Sequence, residues 1–203
     1  MNDPVTQLTH PKLLIGEGSD DLRFLQAFLK FLEIGDVQVE QYGGKGNLSS
    51  YLKTLKLLPG FSKLVSLAIT RDADKQANRA FQSICGFLKN RGYATPTKVE
   101  QVKPGTPNIS VFLFPDGTNP GMLEDLCLSS VKNDPAMTCI DGYFECVEQQ
   151  ASRQPKNMAK AKLHAFLASQ TKPSLRLAEA AEKGVWKWDS PAFDRLKQFL
   201  QSI

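Results

Sequence analysis

Along the first two thirds of the chain, apolar and polar positions recur in one order: a short apolar run, a break rich in glycine or acid, then an amphipathic stretch. Leu64, Val65, Leu67, Ala68 and Ile69 make the most continuous run, the pattern of a strand buried on both faces, and predict a strand over 64–70. Lys12–Ile15, Val37–Gln41 and Ile109–Phe114 read the same way, and Thr97–Val102 alternates like an edge strand. Between them the spacing predicts a helix from 19 to about 33, capped by Ser19 or Asp20, with Leu22, Leu25, Phe28, Leu29 and Leu32 inward. Further helices are expected over 48–58, 75–90 and 122–128. Strands that each end in glycine or acid and mostly lead into helices describe an α/β fold, a mostly parallel sheet flanked by helices.

Beyond residue 130 the pattern changes to helices alone, expected over 135–150, 158–169, 175–182 and 192–200. The first should place Met137, Ile140, Tyr143, Phe144 and Val147 in apolar contacts, and Ser190-Pro191 should start the last. We therefore expect an α/β domain over 12–130 and a C-terminal helical extension, 131–203, packed on it; residues 1–11 read as a loose lead-in.

The breaks carry the chemistry. Ligands of open α/β sheets bind outside the carboxyl ends of strands. There the sequence places Glu17-Gly18 with Asp21, then Tyr42-Gly43-Gly44-Lys45, then Arg71-Asp72-Ala73-Asp74, and Asp116 ahead of Glu124 and Asp125. If 72–74 stays extended, Asp72 and Asp74 point the same way and repel unless a proton or cation intervenes. Mg²⁺, which prefers carboxylate and water oxygens, is the simplest such cation; a solvated turn or helix cap is the alternative. The glycine loop lacks the GxxxxGK[ST] spacing of a phosphate-cradling loop, yet it can bring Lys45 to the same edge.

Composition narrows the classes. The 203 residues are 41% hydrophobic and 23% charged, with a formal net charge of +4, too mild to read as a nucleic-acid surface without clustering. Cys85, Cys127, Cys139 and Cys146 form no CxxC and lie far from His10 and His164, so zinc is not expected; they read as reduced core residues of a cytoplasmic protein. The start of the chain shows no export signal, and no run reaches the 18 or so apolar residues of a membrane span. His164 is expected to be a partly buried structural residue, and Trp186 and Trp188 to pack the tail rather than stack on bases; Tyr42 has a somewhat better position for stacking.

Glu17-Gly18 after the first strand, Asp21 inside the next helix and Asp72-Ala73-Asp74 after the third strand resemble the glutamate–glycine and DxD motifs of the Toprim superfamily. Gly43-Gly44-Lys45, Phe114-Pro115-Asp116 and Leu123-Glu124-Asp125 resemble small stand-alone Toprim-like proteins related to the carboxyl domains of OLD-family nucleases. The resemblance covers 12–130, extends more loosely through 156–169 and the tail, and includes no gate tyrosine, ATPase domain or DNA-binding appendage.

It implies a Toprim-like fold and Mg²⁺- (or Mn²⁺-) dependent phosphodiester chemistry on DNA or another nucleic acid. Asp72, Asp74 and Glu17 would hold one ion, with Glu17 also able to act as general acid or base. Asp21 and Glu124, with Asp125 or Asp116 as further candidates, would serve a second. Lys160 or Lys162 would supply the cation for the transition state, with Lys45 as runner-up, and Arg71 would contact phosphate or pair with Glu17. The leading expectation is a nuclease. The alternatives are a metal-retaining nucleic-acid or nucleotide-binding module and a defence component switched on by a protein partner. Oligomeric state is not legible.

Overall fold

The computed structural model describes residues 6–203; the part of the expected lead-in that falls on residues 1–5 lies outside the described residues. Four strands, β1 (Lys12–Gly16), β2 (Val37–Gln41), β3 (Ser66–Asp72) and β4 (Asn108–Phe114), form one sheet in the order β2-β1-β3-β4, every pair parallel. The order places β1 beside β3. The connection after β1 leads outward to β2, and the one after β3 leads outward the other way to β4. Their carboxyl ends therefore flank the switch point at which parallel sheets open a crevice.

Period-two alternation sorts the strand side chains into two cores. Leu13, Ile15, Leu67, Ile69, Ile109, Val111 and Leu113 face α2 (Leu48–Leu55) and α3 (Ala77–Asn90), whose Leu48, Leu52, Leu55, Ile84 and Leu88 are buried with them. Leu14, Ala68, Phe112 and Phe114 face α1 (Ser19–Phe31) and the later helices. Those are α4 (Leu123–Ser130), α5 (Pro135–Ala151), α6 (Met158–Ala168), α7 (Leu177–Glu182) and α8 (Asp194–Ser202). Leu163, Phe166, Trp186, Phe193 and Phe199 from beyond residue 131 join Phe24 and Phe28 of α1 in a single cluster. Trp186 is 1% exposed and donates its indole N–H to the Leu177 carbonyl (3.2 Å), while Trp188 stacks on Phe28 with ring centroids 5.0 Å apart. Both tryptophans are tail packing, as expected.

Several expectations are corrected. The third strand runs to Asp72, because Arg71 and Asp72 continue the ladder against Leu113 and Phe114. Neither Ser19 nor Asp20 caps α1; the turn is closed by Asp21, whose carboxylate accepts the Gly18 N–H (3.3 Å). α2 stops at Leu55, ahead of Pro59-Gly60. Residues 97–102 form no strand; Glu100 donates one backbone bond to Val111 and its side chain pairs with Arg195. All four cysteines are free, but Cys139 and Cys146 are exposed on α5, and Tyr143 on that helix is 58% exposed. Only Ile140 of α5 is buried. Periodicity identified an apolar side for α5 but not whether a neighbour covers it. His164 is exposed, not buried.

Candidate functional site

Each strand end delivers its polar residue by a local device. At β1, Gly16 leaves room for Asp21: a Cβ built on it would lie 2.7 Å from the Asp21 Cβ. The Glu17 carbonyl accepts the N–H groups of Gly43 (3.0 Å) and Gly44 (2.9 Å), which folds the glycine loop over the β1 end and brings Lys45 alongside. At β3, the Asp72 carboxylate accepts the backbone N–H of Leu123 (3.0 Å) at the start of α4. That bond holds Glu124 near the strand end, and a helix N-terminus favours an anion there. Asn157 caps α6 by accepting the Lys160 N–H (2.9 Å), and its side-chain amide lies 3.3 Å from Met122 Sδ. α6 thus starts beside α4, and the Lys160 ammonium comes to 3.5 Å from Glu124.

These devices converge on a cleft of about 280 Å³, lined by Glu17, Asp21, Asp72 and Glu124 together with Asp20 and Lys160. Burial and mutual repulsion perturb its acids. Burial pushes Asp72 up to about 7, and the carboxylates of Asp21, Glu124 and Glu17 push the same way against the Leu123 amide. Asp21 is raised to about 6 by burial, with Glu17 adding to the effect and the Gly18 amide opposing it. Glu17 is raised by burial and by Asp74, and held back by Lys45 and Arg71. Its Oε2 is buried without a hydrogen-bond partner. Four acids from three chain-distant segments therefore line one partly buried cleft. Among the described residues, however, no three His, Cys, Asp or Glu side chains are gathered into a ready metal cage.

The remaining expected residues lie elsewhere. Asp74 sits at φ 54°, in the left-handed region, so 72–74 is not extended and the two acids part. Asp74 pairs with Lys45, its backbone exchanges hydrogen bonds with Gly121, and it lines a different depression. Lys162 pairs with Asp141 (2.6 Å), away from the cleft. Asp116 accepts bonds from Thr118 and Asn119 within its own loop; burial raises its carboxyl, but those bonds outweigh it and leave the carboxyl below its usual range. Asp125 accepts the Met122 N–H (2.9 Å) and starts α4. Arg71 donates to Ser83 Oγ (3.3 Å) and acts on Glu17 through space. Tyr42 is 3% exposed and donates to the Thr70 carbonyl (3.2 Å), so it offers no stacking face. Sequence reasoning missed Lys75 and Arg79, which line the depression beside Asp74; the basic residues that closely follow the acidic turn were the available signal.

Fold and cleft together define a parallel α/β module with an acidic crevice at its switch point and helices closing one side. The chain belongs to the family described as Protein of unknown function (DUF3226), whose model matches residues 11–203. Its fold is similar to that of the C-terminal region of the Burkholderia pseudomallei OLD protein, at 13% identity and a TM-score of 0.52 over 96% of this chain and 98% of that one. The C-terminal region of the Xanthomonas campestris pv. campestris OLD protein, phased with mercury, matches at 14% identity and a TM-score of 0.45, covering 95% of each chain. No curated protein matches the sequence. Among the described residues no helix is long and apolar enough to cross a membrane.

Proposed function

We propose that this chain is a Toprim-like module that engages a phosphodiester of nucleic acid at the carboxylate cleft with a bound Mg²⁺ or Mn²⁺, and depends on a partner for turnover. One observation carries the reading: Glu17, Asp21, Asp72 and Glu124 come from three separate strand-end and helix-start segments to one half-buried cleft, where the buried Glu17 Oε2 has no hydrogen-bond partner. Natural proteins leave few buried polar atoms unpaired, and each such atom calls for an explanation such as an ion. Hard carboxylate oxygens suit a hard divalent cation. Glu17, Asp21, Asp72 and Glu124 would hold it. When bound, the ion supplies Lewis-acid polarisation of a phosphoryl oxygen. The chain's own contribution is a preorganised carboxylate wall, fixed by the Asp72–Leu123 and Asp21–Gly18 bonds, with the Lys160 ammonium at its rim to meet phosphate charge.

Dependence on a partner is favoured because the acids, among the described residues, are not gathered into a cage. The second reading is a self-sufficient metal-dependent nuclease, favoured by Lys160 standing over Glu124 at the same cleft. Incubating the chain with supercoiled plasmid and Mg²⁺ or Mn²⁺, beside Asp72→Asn and Glu124→Gln, separates the two. Metal-dependent DNA binding without nicking supports the module. Nicking lost in both variants supports the nuclease. Failure to bind either metal or DNA overturns both.

A further inference from the structure

Past the end of β3 lies a second depression, of about 480 Å³, whose charged lining is Arg71, Asp74, Lys75 and Arg79. Its single acid, Asp74, is paired with a fourth cation, Lys45. Among the described residues, none of Arg71, Lys75 and Arg79 has a carboxylate within ion-pair distance. Arg71 Nε is buried with no hydrogen-bond partner, an orphaned donor set in the floor. Lys75, in the turn before α3, and Arg79, in its first turn, are both exposed at the rim. Four cations around one acid make a local positive basin that the chain's net charge of +4 conceals. The basin and the cleft adjoin at the end of β3: Asp72 lines the cleft, while Arg71 and Asp74 on either side of it in the chain line the basin.

Planar guanidinium groups bind phosphate through paired N–H donors, and an ammonium adds a point charge. We infer that the Arg71–Lys75–Arg79 basin is a backbone phosphate subsite for a nucleic-acid strand whose neighbouring phosphodiester lies at the carboxylate cleft. This inference rests on the nucleic-acid reading proposed above. The strand passes over the end of β3 from an acidic to a basic wall, and the basin sets its register without reading base identity.

Binding of a fluorescein-labelled 20-base-pair duplex, followed by anisotropy from 50 to 200 mM salt in EDTA, tests the subsite without involving the metal. Lys75→Ala/Arg79→Ala is compared with Lys132→Ala/Lys197→Ala, an equal loss of exposed charge elsewhere. Expected is a slope of log affinity against log salt shallower by about one per cation removed, with affinity at 0.1 M salt down roughly tenfold or more, in the basin variant alone. Equal behaviour of the two variants, while the wild type binds, overturns the subsite and leaves the proposed function standing. A wild-type chain that binds no duplex, with or without Mn²⁺, overturns both. A labelled mononucleotide that binds through Lys75 and Arg79 and is not displaced by duplex overturns the strand and identifies a nucleotide site.

Discussion

The carboxylate cleft and the basic basin are fed by the same strand, yet they carry opposite charge. β3 ends at Asp72, whose carboxylate turns toward α4 and the cleft; two residues on, at φ 54°, Asp74 turns toward Lys45 and the basin. An extended segment would have set both acids on one side. The left-handed turn separates them, so one acid joins the carboxylate cleft while the other pairs with Lys45 beside the basic basin. A single backbone angle thereby converts a pair of like charges into a polarised groove.

The largest effect should come from breaking one side only. Asp72→Asn is expected to weaken Mn²⁺ binding by at least about 100-fold, the upper end of what even outer-shell losses cost, whereas Asp74→Asn leaves it within a few-fold; isothermal titration of both variants checks this. Equal losses would mean that the two acids share an ion after all. Next, Gly16→Ala drives a methyl against Asp21 at 2.7 Å and should cost about 1–3 kcal/mol by denaturant unfolding. It should impair metal binding while sparing salt-dependent DNA binding, because the basin does not touch β1.

A smaller effect concerns pH. The folded chain holds Asp72 up to about 7 and Asp21 up to about 6, above their unfolded values, so between about pH 4 and 7 the folded state binds more protons. Stability from these two acids is therefore lost as pH rises through that window. In EDTA, Asp72→Asn should melt higher than wild type at pH 8, by about 2–4 °C per kcal/mol relieved, with the advantage vanishing near pH 4. A variant that melts lower at pH 8 would show the cleft is not electrostatically strained. Smallest of all, Lys162→Ala should change stability by under about 0.5 kcal/mol and leave metal and DNA binding intact, because its partner Asp141 is exposed. Lys160→Ala should weaken DNA binding by several-fold, by anisotropy.

Why the residues separated this way shows what the chain pattern can and cannot disclose. Apolar runs ending in glycine or acid marked β1, β3 and β4 within two residues, because burial on both faces favours nearly continuous apolar runs broken only where the strand leaves the sheet. Glu17, Asp21, Asp72 and Glu124 were legible for the same reason: each begins where the apolar run stops or its following helix starts. Lys160 and Lys162 were not separable, since positions two apart on a helix differ by about 200° and only packing decides which faces a cleft. Nor was Asp74, because aspartate occurs both in extended segments and in the left-handed region, and its residue type does not decide between them. The basin escaped notice since Arg71 and Lys75 flank Asp72 and Asp74 in the chain, and it is the turn at Asp74 that sorts these charges by sign.

The sharpest test is a crystal of this chain soaked in Mn²⁺, with anomalous scattering used to locate the ion. A peak in the cleft, about 2.2 Å from carboxylate oxygens of Asp72 and at least one of Glu17, Asp21 and Glu124, is the expected result. Saturating Mn²⁺ with no peak there, or a peak bridging Asp72 and Asp74, would contradict it.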